Sequence, residues 1–253
     1  MESKLYPGKT DKIICTIEAR MSSTRLPGKV LMPLAGIPSL QFLVERIRRS
    51  SFVDDVIVAT TVNEKDNAII ELCKKIQCNY FRGSELDVLG RVLSTAKEFH
   101  GDIIVEITGD CPFIDHRHVD KMIKLFYSGK YDYAGMQEFP GGFGVQVYPT
   151  EILSRVDKLT NDPVDRIHVT YYIYTHPEKF NIAAWHAEGM MKWPEGRVMI
   201  DERDDYQLLD IIAKELYPEN QDFSAEDVAA FLKKNPKLVD INAHVRKKDP
   251  KKM

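Results

Sequence analysis

Short apolar runs alternate with segments of helical period through the first half of the chain. That alternation narrows the possible folds more than any other feature. Residues 12–17, 55–60, 79–82 and 102–107 read as strands. Val56, Ile57, Val58 and Ala59 form a nearly continuous apolar run, as in parallel strands covered on both faces. Leu40, Leu43, Val44 and Ile47 fall at helical spacing, in a helix capped by Ser39 and running to about Ser50. Ile69, Leu72 and Ile76 give residues 64–76 a buried face. Val88, Leu89, Val92, Leu93 and Ala96 do the same behind Asp87, and a further helix follows Asp115 to about Tyr127. Strand and helix repeated with short links predict an α/β fold with a doubly wound, mostly parallel sheet.

The pattern changes from Tyr131. Residues 131–150 are rich in Tyr, Phe and Gly, with a strand expected over 143–148. Helices are expected over 151–159 and 163–174, the second with Pro163 in its first turn. Residues 180–186 and 197–200 read as strands, and 204–216 and 224–234 as closing helices. Asp204 is the expected N-cap of the first closing helix. Ser224 and Asp227 fit a Ser-x-x-Asp capping arrangement at the second. We expect one domain over residues 1–253, with 131–196 as a small inserted lobe.

Composition excludes several classes. A chain of 253 residues, 43% hydrophobic, can bury a full core. A formal charge of -3 and a pI near 6.2 predict neither nucleic-acid nor membrane-surface binding. The basic run at 246–252 reads as a solvated tail. Met1 to Asp11 holds no long apolar stretch, so no signal peptide is expected, and no apolar segment is long enough to cross a bilayer. Cys15, Cys73, Cys78 and Cys111 form no Cys-x-x-Cys pair, and two of them lie in apolar patterns that suit a reduced core in a cytoplasmic protein.

The chemistry gathers where two strands end. The run 12–17 stops at a loop with Arg20, Arg25 and Lys29, interleaved with Ser22, Ser23, Thr24, Pro27 and Gly28. Arg offers a rigid donor fork and Lys a mobile point charge, both suited to phosphate oxygens. A phosphate site competes here with a solvated basic loop. Strand 102–107 leads into Thr108-Gly109-Asp110-Cys111-Pro112. An Asp at the carboxyl end of a central parallel strand is a candidate Mg²⁺ ligand, and a simple turn residue fits equally well.

The loop Ala19-Arg20-Met21-Ser22-Ser23-Thr24-Arg25-Leu26-Pro27-Gly28-Lys29 resembles the A-R-x-x-S-T-R-L-P-x-K signature of the cytidylyltransferases that make CMP-activated acidic sugars. These include the CMP-Kdo and CMP-acylneuraminate synthetases, and the likeness is strongest to the SpsF-like, spore-coat-polysaccharide branch. Thr108 to Pro112 is similar to that branch's T-G-D-C-P, which implies that Asp110 binds metal. Val198 to Asp205 stands where the family has V-D-x-P-E-D, which implies Asp201 as a second metal ligand, with Arg203 in place of the usual Pro. Phe81 to Arg91 resembles R-G-S-x-x-D-V-L-x-R, which borders the nucleotide in the family. The resemblance thus implies a Rossmann-like α/β/α nucleotidyltransferase with Mg²⁺ as cofactor. Ala19, Arg20, Ser23, Arg25, Lys29, Ser84 and Thr108 would bind CTP, with Arg20, Lys29 and Asp110 serving catalysis.

Arg166-Ile167-His168-Val169-Thr170 looks like the family's R-E-H-V-T. It implies acceptor contacts by His168 and Tyr172, which would share one helical face, with Arg166 beside an acceptor carboxylate. Plain packing of His and Tyr fits the same spacing. Three acids of the family pattern are replaced. The branch's G-L-D-V-E-V becomes Gly142-Phe143-Gly144-Val145-Gln146-Val147, and Ile167 replaces the Glu of R-E-H-V-T. Their loss predicts a strongly anionic acceptor, with Gln146 among its contacts. Glu18, in contrast, adds an acid where the family has Gln or Pro. The implied reaction joins CMP from CTP to a small anionic acceptor, releasing pyrophosphate, in a homodimer formed through 131–196. A glycosyltransferase with a related nucleotide-binding half, and a non-catalytic nucleotide-binding protein, are the alternatives. No P-loop and no Gly-x-Gly-x-x-Gly occurs.

Overall fold

A computed structural model describes residues 10–246 of the chain. The basic tail beyond Arg246 and all but the end of Met1–Asp11 lie outside the described residues. The chain builds β1 (Ile13–Glu18), a small hairpin of β2 (Pro33–Leu34) and β3 (Ile37–Pro38), α1 (Ser39–Ile47), β4 (Asp55–Thr61) and α2 (Asn67–Lys75). It continues through β5 (Asn79–Gly83), α3 (Val88–Glu98), β6 (Ile103–Thr108), α4 (His116–Tyr127), β7 (Tyr133–Gln137), β8 (Gln146–Pro149) and α5 (Thr150–Leu159). The last elements are α6 (Pro163–Ile167), α7 (Tyr171–Thr175), β9 (Ile182–His186), α8 (Arg203–Leu216), α9 (Ala225–Lys234) and α10 (Pro236–Val239).

One sheet of seven strands runs β5-β4-β1-β6-β8-β7-β9. β1 pairs in parallel with β4 and β6, and β4 with β5. Within this sheet, only β8 runs against its neighbours among the described strands. Period-two alternation sends Ile13, Cys15 and Ile17 to one face, against α1, α2 and α4, and Ile14 to the other, against α3, α5 and α7. Each such fully buried aliphatic side chain contributes about 1.5–3 kcal/mol. A third cluster packs α8 and α9 on Leu34, Phe42 and Phe113. The chain winds outward from β1 to β5 and then returns to β6 on the other side of β1. The carboxyl ends of β1 and β6 therefore bracket the switch point where such sheets bind ligands.

The segment 131–196 supplies β7, β8 and β9 to the same sheet. All four cysteines are free and buried. No helix among the described residues is long and apolar enough to cross a membrane.

Several local expectations are corrected. Ser39 is the first helical residue of α1, not its cap; its hydroxyl donates to the Lys29 carbonyl at 3.1 Å and ties the helix to the cationic loop. That helix ends at Ile47, and a 3₁₀ turn at Glu64–Asp66 precedes α2. Strand β8 starts at Gln146, not 143, and β7 forms where no strand is expected. The helix expected over 163–174 is broken. Val169 sits at φ 37°, 2% exposed, because core packing overrides the local pattern there. The expected strand at 197–200 makes only one bridge, Arg197 to Gly141, and then crosses over the β6 loop. Asp204 does not cap α8; Glu202 does, in a capping box with Asp205, while Asp204 pairs with His244 at 3.3 Å. The Ser224–Asp227 box at α9 forms as expected.

Candidate active site

The loop after β1 is tightly tied. Gly28 N–H donates to the Met21 carbonyl at 3.0 Å, with Gly28 in the left-handed region at φ 74°. Met21 N–H donates to Asp66 at 2.7 Å, and Ser23 Oγ accepts from Leu26 N–H at 3.4 Å. This closure sets each of the three cations against carboxylates. Arg20 meets Glu85 at 3.0 Å, Arg25 reaches Asp201 at 2.9 Å and Glu202 at 3.2 Å, and Lys29 turns inward.

The Lys29 ammonium lies 2.7 Å from both Asp110 Oδ2 and Asp201 Oδ1. These acids come from distant parts of the chain, and backbone contacts bring them together. Ile200 N–H donates to the Asp110 carbonyl at 2.8 Å, and Gly109 N–H to the Glu18 carbonyl at 2.9 Å. A Cβ at Gly109 would fall 2.8 Å from that Glu18 oxygen, so the β6 loop can lie this close to β1 only with glycine there. Thr108 donates to Asp110 Oδ1 at 2.7 Å.

Three cations surround Asp201: Lys29, Arg25 and Arg197, the last at 2.7 Å. Burial pushes its carboxyl upward, but Lys29, Arg197 and Arg25 outweigh this and pull it down to about 2. Burial likewise lowers Lys29, and Asp110 with Asp201 more than compensates, so it stays an ammonium. Arg197 is fixed in turn by buried Asp205 at 2.8 Å. Two carboxylates thus converge on one compact cation. This hard-oxygen donor pair fits Mg²⁺, which takes a few carboxylates and completes its shell with phosphate oxygens and water. No third His, Cys, Asp or Glu joins them among the described residues.

On the β4–β5 side, Glu85 accepts from Ser22, from Arg20 and from Asn63 at 2.6 Å. The Ser22 bond is the main cause that holds its carboxyl below the usual range. Ser84 Oγ accepts from Asp87 N–H at 3.0 Å, and Ala19 N–H donates to the Ala59 carbonyl at 3.3 Å. Asp87 caps α3 and is gripped by Arg166 at 2.6 and 2.7 Å.

On the β6–β8 side a cavity of about 380 Å³ opens beside Thr108 and Cys111. Its wall includes Glu106, Glu138, Gly144 and Gln146, and no Arg or Lys. Of the four expected acceptor residues, only Gln146 lines it; its amide oxygen accepts from Tyr133 at 3.0 Å and from Thr170. Arg166 is occupied by Asp87 and by Asp157 at 2.7 Å. The break at Val169 takes His168 and Tyr172 off a common helical face. Tyr172 packs in the α3–α5 core, stacked on His176 at 4.0 Å and bonded by Lys179 at 2.8 Å. Burial lowers the His168 pKa, and its Nε2 is buried without a partner.

Sequence reasoning missed Glu85, Arg197 and Glu106. The first two carried no pattern of their own. Glu106 did: it is an acid inside the apolar run Ile103–Ile107, at a position that burial should have refused.

Comparison with known proteins gives consistent results. Residues 14–228 match the family model described as cytidylyltransferase. The chain is 37% identical to an uncharacterised protein of Methanocaldococcus jannaschii over 94% of this chain and 97% of that one. It is 35% identical to the spore coat polysaccharide biosynthesis protein SpsF of Bacillus subtilis, over 88% of this chain and 95% of that one. A solved cytidylyltransferase from Leptospira borgpetersenii superposes with a TM-score of 0.84 at 33% identity, covering 90% of this chain and 97% of its own.

Proposed function

Because this chain belongs to the cytidylyltransferase family, we propose that it transfers CMP from CTP to a small anionic sugar-type acceptor, releasing pyrophosphate, in the supply of activated sugars for surface polysaccharide. The observation that carries this reading is the cluster of Lys29, Asp110 and Asp201 at 2.7 Å contacts, beside the carboxyl ends of β1 and β6. An acceptor hydroxyl oxygen bonds the α-phosphorus as the bond to the bridging β-oxygen breaks. Pyrophosphate leaves and the hydroxyl proton passes to water. Arg20, Arg25 and Lys29 exchange their present carboxylate partners for triphosphate oxygens and offset the charge that grows on the leaving group. Asp110 and Asp201 would hold Mg²⁺, which neutralises phosphate charge and acidifies the acceptor hydroxyl when bound. Ser23, Ser84, Thr108 and the main chain of Ala19 frame the nucleotide, and Gln146 meets the acceptor. Catalysis is then largely positioning and electrostatics.

The test is pyrophosphate release from ATP, CTP, GTP and UTP with Mg²⁺ and a panel of sugar acids. Release from CTP alone, dependent on acceptor and lost in Asp110→Ala, is expected. Equal release from all four triphosphates overturns the reading. Turnover of a preformed nucleotide sugar without CTP would instead mark a glycosyltransferase.

We further propose a homodimer through 131–196. Leu159, Tyr174 and Met190, three of the five exposed large hydrophobics among the described residues, lie in that segment. Sedimentation equilibrium giving a monomer would exclude it.

A further inference from the structure

The cavity beside Thr108 holds a buried acid with no cationic partner among the described residues. Glu106 lies on its wall, only 5% exposed. Tyr148 donates to its Oε2, and nothing among the described residues donates to Oε1. Across the sheet Glu18 on β1, another acid, feels its charge, and Arg91 acts on Glu18. Glu138, the other acid on the wall, is already paired with Lys192 at 3.0 Å and His186 at 3.3 Å. A buried carboxylate with no cation is costly, and it gains most from a ligand that brings one.

There is room for such a ligand. Gln146 is the register partner of Glu106 across the β6–β8 pair. Gly144, two residues earlier, also lines the cavity, and a Cβ built there would meet nothing within 4 Å. The acids lost at 144 and 146 are thus partly replaced by one from the neighbouring strand, directly opposite position 146.

We propose that Glu106 receives a primary amine of the acceptor, so that the acceptor is an amino-bearing sugar acid. Its ammonium lies on the Glu106 carboxylate beside Gly144. This rests on the cytidylyltransferase reading and adds the substrate class to it. Burial holds the free Glu106 carboxyl up at about 7, and an arriving ammonium favours its ionised form.

The experiment measures pyrophosphate release from CTP with three probes: an ulosonic acid bearing one primary amine, the same acid with a hydroxyl at that carbon, and its N-acetyl derivative. The wild type is expected to favour the amine at least about tenfold in kcat/KM. Glu106→Gln should raise KM for the amine about tenfold or more and leave the hydroxyl probe within about twofold, with the KM for CTP unchanged. Glu106→Asp, which keeps the charge, should retain the preference and separates loss of charge from a folding defect. Equal use of the three probes by the wild type, or a preference untouched by Glu106→Gln, overturns the inference while CTP chemistry stands. Absence of release from CTP with every acid overturns this inference and the cytidylyltransferase reading together, unlike turnover of the hydroxyl probe alone, which sinks only the former.

Discussion

Lys29 occupies the point where two carboxylates would otherwise repel. Its ammonium neutralises Asp110 and Asp201 in the free chain and stands ready to move onto phosphate. Lys29→Met should therefore lower kcat/KM by about 10²–10³-fold, comparable to removing one transition-state donor, and weaken CTP binding measured by calorimetry. An unchanged rate would remove Lys29 from the chemistry. Glu106 makes a second residue-scale prediction. Its carboxyl is raised from 4.5 to about 7 by burial, although Tyr148 partly opposes this. An acid raised on folding costs nothing below its unfolded value, and the cost grows as pH climbs to the folded value. The wild type should lose stability relative to Glu106→Gln between pH 4.5 and about 7, then hold a constant difference. At about 1.4 kcal/mol per unit, the full effect is at most about 3.5 kcal/mol, read from denaturation midpoints at pH 4, 6 and 8. A difference independent of pH would show that Glu106 is not buried as described. That acid was visible in the sequence as a Glu in an apolar strand, but its partners were not, because Tyr148 lies 42 residues away.

At the scale of elements, the site depends on how closely the β6 loop lies on the end of β1. Gly109→Ala would place a Cβ 2.8 Å from the Glu18 carbonyl. It should cost about 1–3 kcal/mol and, by lifting Asp110 away from Lys29, also weaken CTP binding. Full retention of both would show that the loop yields without loss. The cap of α9 is a simpler case: Ser224→Ala removes a bond to Asp227 N–H at 2.9 Å and should cost about 1 kcal/mol, with no effect on the reaction. Strands β1, β4 and β6 were legible because buried parallel strands write continuous apolar runs, whereas β5, a partly exposed edge strand, shows only a short Tyr-Phe pair. α6 and α7 read as one helix because Val169 and Thr170 continue the local pattern. Only the core against α3 and α5 sets Val169 at a positive φ. The stretch 197–200 has strand composition but pairs with the β6 loop through a single backbone bond, Ile200 to Asp110, and not with a strand.

Across the whole molecule, the sheet places residues from opposite ends of the sequence around one point. Arg25 and Lys29 meet Asp201 from more than 170 positions away, and Arg197 and Asp205 brace that contact from below. Asp205 is fully buried and serves Arg197, Asn242 and two backbone amides. Asp205→Ala should cost about 3–5 kcal/mol, since it strips buried Arg197 of one of its two carboxylate partners and leaves two backbone amides without their acceptor, and should reduce cooperativity of thermal unfolding as α8 loosens. A melt unchanged from the wild type would deny Asp205 that bracing role. The sequence by itself determined the strand–helix order of the first half, the doubly wound class and the cationic loop, while Asp201 was indicated only by a family resemblance. Those depend on local period and on residues that lie next to each other. The tertiary structure alone decided which cation meets which acid, that Arg166 serves Asp87, that Tyr172 belongs to the core, and that Glu106 faces an open cavity. Such facts depend on strand register and on distances between segments far apart in the chain, and no local pattern encodes them.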